Sequence, residues 1–168
     1  MPRYAVGAGS SLTVQARSTI HDTKTVWSSV KGDVNADPAT LATTGATAVF
    51  EVDMTQFDAG DFLRNRKLRK DFDMDANPKA TFTLTGLKDV VGDGGTFRAK
   101  AEGVLRWRGK EVPLVVDGEG TLDGAKLAAT GKFELDIRKL GMSAPRFLMF
   151  KMEDEVTVMV KLAGTVAP

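Results

Sequence analysis

The sequence predicts an all-β fold: an eight-stranded antiparallel barrel with one short helix at about 61–72 and an irregular apolar segment at about 140–153 at the barrel mouth. Three observations carry this. Apolar and polar residues alternate with period two from end to end, turn residues separate the alternating runs, and one stretch follows a helical period instead.

The strands follow in order. Leu12, Val14, Ala16, Ser18 and Ile20 interleave with Ser11, Thr13, Gln15, Arg17 and Thr19, as a strand buried on one face requires. Val26, Ser28, Val30, Gly32 and Val34 are expected inward and Trp27, Ser29, Lys31, Asp33 and Asn35 outward, before Asp37 and Pro38 turn the chain. Phe50, Val52 and Met54 form the next inward set, then Phe82 and Leu84. Phe97, Ala99, Ala101, Leu105 and Trp107 follow, with a turn at Arg108 to Glu111 leading into "VPLVVDGEG". Leu127, Ala129, Gly131, Phe133, Leu135 and Ile137 precede a last strand with Val156, Val158, Val160 and Leu162 inward. "GDGG" at 92–95 and "LDGA" at 122–125 read as hairpin turns. A sheet of this size removes its exposed edges by closing on itself. In "DAGDFLRNRKLRKDFDMDANP", Asp61 is placed to cap a helix from Phe62 to about Phe72, Leu68 and Phe72 share a face, and Asn77 with Pro78 ends it.

Composition bounds the function. The 168 residues are expected to form one domain, 1–168, with a core that needs no covalent staple. The 23 Lys and Arg against 22 Asp and Glu leave a formal charge of +1, so no global field draws nucleic acid, and electrostatic recognition must be local. The absence of cysteine removes disulfides and thiolate metal ligands. No run approaches the roughly 20 apolar residues of a membrane-spanning helix. "MPRYAVGAGSSLTVQ" lacks the apolar core of a secretory signal, so the expected compartment is the cytoplasm, although an exported form with its signal already removed would read the same way.

The interior is the informative part. Ala16, Ser18, Ser28, Gly32, Ala99, Ala101, Ala129, Gly131 and Gly164 are small for inward positions of an eight-stranded barrel, which is either filled by side chains or holds one small ligand. Small residues also suit a tapering barrel, so both readings stand. In "GKFELDIRKLGMSAPRFLMFKMEDEV" the alternation stops and Leu140, Met142, Phe147, Leu148, Met149, Phe150 and Met152 crowd together. That segment is either an adaptable lip on a ligand site or a plug for the core. On the helix, Arg66, Lys67 and Arg69 are the candidates to meet a polar head group; the alternative is a solvated face.

Catalytic chemistry is thinly represented. The one histidine, His21, has Asp22 beside it, and neighbours on a strand point to opposite faces. There is no HxH or HExxH spacing for a metal, no GxSxG elbow, and "GDGGTF" lacks the helix a phosphate loop needs. No cofactor, metal or catalytic residue is assigned.

Three blocks carry a family resemblance: "RNRKLRKDFDMDANPKATFTL", "AEGVLRWRGKEVPLVV", and "FELDIRKLGM" followed by "MEDEVTVMVKLAG". In order and spacing they resemble the YceI-like domains over nearly the whole chain. The resemblance implies an extended lipocalin-like barrel that carries amphiphiles with isoprenoid or fatty tails. It also implies that Phe50, Phe82, Leu105, Trp107, Phe133, Leu140, Met142, Phe147 and Phe150 line the tunnel. The chain departs from the family pattern at Arg17 and Lys67, where histidine is frequent, at Asn65, where aspartate is, and at Leu140, where an aromatic is usual. Head-group preference is therefore not carried over.

Three functions are weighed. The leading one is a non-catalytic carrier of an isoprenoid or long acyl tail, with a hydrophobic small molecule as its partner. The second is an enzyme acting on a small amphiphile in the same cavity. The third is an interaction module using Phe147 to Met152 against a protein or a second copy of the chain.

Overall fold

The structure is a computed structural model that describes residues 2–18, 22–93, 95–143, 146–147 and 150–167. Side chains are described for all of these except Asp93, Arg146, Phe147, Phe150 and Lys151. His21 lies outside the described residues, as do Leu148 and Met149, and of Phe147 and Phe150 only the backbone is described.

The alternating runs become strands: β1 (Arg3–Val6), β2 (Ser11–Ser18), β3 (Thr23–Trp27), β4 (Val30–Ala36), β5 (Ala46–Asp53), β6 (Phe57–Asp58), β7 (Lys79–Asp93), β8 (Thr96–Trp107), β9 (Lys110–Leu122), β10 (Lys126–Asp136), β11 (Arg146–Phe147) and β12 (Phe150–Val166). Helix α1 (Leu41–Thr44) precedes β5, α2 (Phe62–Asp71) precedes β7, and a 3-10 turn (Ile137–Leu140) follows β10. All pairings are antiparallel.

The pieces assemble into a closed eight-stranded barrel of up-and-down order. β1 and β2 are halves of one interrupted strand, both paired with β12. β3 and β4 are halves of the next, paired with β2 and β1, and β5 and β6 halves of the third. At the first break the Ser10 hydroxyl donates to the Ala163 carbonyl at 3.3 Å and accepts from the Ala163 amide at 2.9 Å, replacing the ladder bonds the kink removes.

These breaks correct the expected facing of one strand. Trp27 is 5% exposed and faces the interior, while Val26 is 38% exposed. Ser28 and Ser29 interrupt the strand, so Trp27 and Val30 both point inward three residues apart and the alternation changes phase. The extended N-terminal piece β1 and the one-turn α1 were not anticipated, and β12 starts early enough that strand pairing reaches into the stretch read as irregular.

One end of the barrel is a floor. α1 sits there with buried Leu41, and the buried Tyr4 hydroxyl donates to the Asp123 carbonyl. Burial raises the Tyr4 phenol above its ordinary value, with Asp123 and Asp37 adding to the effect. The other end, here the mouth, carries the segment 54–78 with α2, the β8–β9 turn and the 3-10 turn.

Candidate functional site

The inward faces of the strands do not fill the barrel. A cavity of about 290 Å³ runs from Ala36 and Leu41 at the floor to Phe72, Leu140 and Met142 at the mouth. Its wall is almost wholly apolar. A cavity of about 150 Å³ lined by similar residues already stays dry and admits a small apolar guest. At about 24 cal/mol per Å³, an empty space this large forgoes on the order of 7 kcal/mol that a close-fitting tenant would return.

Seven of the residues named from the sequence line it: Phe50, Phe82, Leu105, Trp107, Phe133, Leu140 and Met142. Phe50 and Phe82 are cross-strand partners on β5 and β7 with ring centroids 6.5 Å apart. Gly103 on β8 leaves the space that the Phe82 ring occupies, because a Cβ there would sit 2.2 Å from the ring. Of the small inward residues, Ala101, Ala129 and Gly131 line the tunnel, joined by Gly118, which the sequence did not single out. Trp27 is another lining residue missed, for the phase reason given above, and Leu41, Leu87, Leu114 and Val116 were not named either.

The mouth is braced by residues of the tunnel wall. The Trp27 indole donates to the Met54 carbonyl at 3.2 Å and the Trp107 indole to the Asn77 carbonyl at 2.8 Å, fixing the segment that carries α2 on both sides of the helix. Next to Trp107, Arg108 and Gly109 form a two-residue turn with φ of 56° and 72°, the left-handed pair that tight hairpins favour. Arginine is an unusual occupant of that conformation, and its side chain shows what it does there. Its guanidinium donates to the Phe72 carbonyl at the end of α2 and, at 3.3 Å, to the Leu140 carbonyl of the 3-10 turn, while lying 5.9 Å from the Trp107 ring centre. One side chain thus ties three mouth elements together.

The 3-10 turn has its own brace. Asp136 accepts from the Arg138 amide at 3.0 Å and binds the Arg138 guanidinium at 3.0 and 2.8 Å. The Arg138 side-chain bonds, then its backbone bond, hold the Asp136 carboxyl down at about 2, against a small upward push from burial. A depressed carboxylate contributes stability that is whole above the ordinary value of 3.8 and lost as pH falls through about 2. Acidification across that window is expected to loosen the turn and shift tryptophan emission, and the Asp136→Asn variant should lack this component. An identical acid transition in the variant would contradict the assignment.

Beside the mouth a smaller pocket of about 70 Å³ lies under α2. It shares Val14, Trp27, Phe72, Ile137 and Val156 with the tunnel wall and adds Thr23, Thr25, Arg64 and Glu153. Here polar side chains come close to the tunnel. Arg66, Lys67 and Arg69 do not line either cavity: Lys67 pairs with Asp71 at 2.9 Å, and Arg69 pairs with Asp75 at 3.1 Å and donates to the Thr55 carbonyl at 2.9 Å. Asn65 fastens the loop before the helix, accepting from the Ala59 amide at 2.5 Å and donating to Asp58 at 3.4 Å. Among the described residues no group of three His, Cys, Asp or Glu side chains is placed to hold a metal. Among the described residues no helix is long and apolar enough to cross a membrane.

A model of the YceI-like domain matches residues 5–163. The chain belongs to the YceI-like family. Solved structures share the fold of this YceI-like protein. BcnA of Burkholderia cenocepacia is 21% identical with a TM-score of 0.74, the match covering 93% of this chain and 96% of that one. A polyisoprenoid binding domain from Saccharophagus degradans, implicated in plant cell wall breakdown, is 14% identical with a TM-score of 0.78 and 98% coverage of both chains. The YCEI protein of Campylobacter jejuni is 15% identical, with a TM-score of 0.69 over 86% of this chain and 85% of that one. At these identities the likeness is one of fold. No curated protein matches this YceI-like chain in sequence.

Proposed function

We propose that the protein is a non-catalytic carrier that holds the isoprenoid or long acyl tail of an amphiphile in its tunnel. The observation that carries this reading is the continuous apolar cavity from floor to mouth. Family membership and the polyisoprenoid binding domain among the structural neighbours support it. Burying about a dozen tail carbons gains roughly 10 kcal/mol, enough for useful affinity after the costs of association. Affinity then comes from the tail. The head group would lie toward the pocket under α2, where Arg64, Thr23, Thr25 and Glu153 offer its polar partners.

An apolar fluorophore should enter the tunnel and report through its own emission. Polyprenyl and fatty compounds are expected to displace it in proportion to tail length. If no such compound competes, the carrier reading fails.

A further inference from the structure

Helix α2 is polar overall and presents two unlike faces. Arg64, Leu68 and Phe72, spaced by four, form the stripe that lines the pocket beside the tunnel. The opposite stripe is Phe62, Arg66 and Lys70, with Leu63 next to it. Phe62 is 75% exposed and Leu63 73%, the most exposed large hydrophobic side chains among the described residues. Arg66 and Lys70 are also exposed, and neither has a partner among the described residues. Of the acids nearby, Asp61 caps the helix and pairs with Arg64, Asp71 pairs with Lys67 and Asp75 with Arg69, while Asp73 lies beyond the C-terminal cap with its amide bonded to the Lys70 carbonyl. An exposed apolar tip beside unpaired cations is not what a solvated helix face presents; it matches a surface made to enter the interface of an anionic bilayer.

We propose that the outward face of α2 docks the barrel mouth on anionic phospholipid, with Phe62 and Leu63 inserted below the head groups and Arg66 and Lys70 against the phosphates. Charge complementarity selects this occupant, since the chain as a whole carries only +1 while this one face presents Arg66 and Lys70 with no acidic partner among the described residues. The position of the helix gives docking a use. Phe72, at the C-terminal cap of α2, lines the tunnel, so the docked face holds the mouth against the membrane. Exchange of an amphiphile between bilayer and tunnel rests on the carrier reading; docking does not.

The test is flotation of the purified protein with phosphatidylcholine vesicles, with and without phosphatidylglycerol. Binding is expected only with the anionic lipid and should weaken with salt. Removing two surface cations, as in Arg66→Gln with Lys70→Gln, should lower vesicle affinity roughly 30-fold. Phe62→Ser with Leu63→Ser should lower it at least ~10-fold by removing the inserted surface. Because these side chains are exposed, both double variants should melt as the wild type does and still bind the apolar fluorophore. That second readout separates failure of docking from failure of the carrier reading. Absence of wild-type binding to anionic vesicles would overturn the proposal, as would full binding by both variants. Sedimentation as a dimer that depends on Phe62 and Leu63, without vesicle binding, would assign the face to a second copy instead.

Discussion

Replacing Gly118 with leucine is expected to weaken tail binding roughly 10- to 100-fold while leaving the empty barrel as stable as before or more so. Gly118 lines the tunnel, paired with Ala99 on one side and Gly131 on the other. A Cβ built there meets only the Ala99 carbonyl at 3.7 Å and the Thr130 carbonyl at 3.8 Å, which is ordinary contact. The first carbon is therefore accepted by the wall, and the remaining carbons occupy space a ligand would use. Filling void and removing a strand glycine both favour the folded apo protein, by about 0.5–2 kcal/mol, or a melting point higher by roughly 1–8 °C. Few core substitutions stabilise a fold while abolishing its activity, and this one does so only if the cavity is the binding site. Val115→Leu, on the same strand but facing outward at 53% exposure, should change neither quantity. Fluorophore displacement and thermal melting of the three proteins decide the matter. Unimpaired binding by Gly118→Leu would place the ligand elsewhere.

The second large effect is expected at Arg108. Asparagine followed by glycine is the preferred pair for this turn, so Arg108→Asn should improve the local backbone. The variant is nevertheless expected to be less stable, because the Phe72 and Leu140 carbonyls lose their shared charged donor. Hydrogen bonds to charged groups contribute about 1.5–3 kcal/mol, so the melting temperature should fall by roughly 3–12 °C. Release of a bound fluorophore should quicken, since α2 and the 3-10 turn are no longer tied to the barrel rim. Arg108→Lys, which keeps the charge but has no planar fork, should recover only part of the loss. Stopped-flow release and melting curves provide both readouts. Wild-type behaviour in Arg108→Asn would show that the turn, and not the brace, is what this position supplies.

The parts of the fold legible in the sequence are those where a strand crosses the barrel without interruption. β8, β9 and β10 each present one face to the tunnel along their length, so period two survives and the inward Leu105, Trp107 and Phe133 can be named from it. Where strands break or bulge, the pattern loses phase. Trp27 and Val30 point the same way across Ser28 and Ser29, and Leu84 and Leu87 do so across a register shift in β7. β1 has four residues, too few for alternation to stand out, yet it closes the ring between β4 and β12. α2 could be read from the Asp61 cap, which accepts from the Arg64 amide at 2.8 Å as expected.

The tunnel and its mouth differ in the same respect. Apolar lining follows from residue type and facing, which are local properties. The role of Arg108 depends on carbonyls 36 and 32 residues away in sequence, so locally it is one more cation in a polar turn. Arg64, Arg66, Lys67, Arg69 and Lys70 read alike as one cluster, but a helix turns its side chains through the full circle, and the cation it directs at the pocket is Arg64, not Arg66, Lys67 or Arg69.

The most direct test of the carrier account is native mass spectrometry of freshly purified protein, joined to organic extraction and mass analysis of what is released. The account predicts a discrete added mass that extraction recovers as a compound with a long apolar tail. If the tunnel is emptied during purification, the same mass shift should return on incubation with a polyprenyl or fatty compound. A mass equal to the bare chain in both conditions would contradict it.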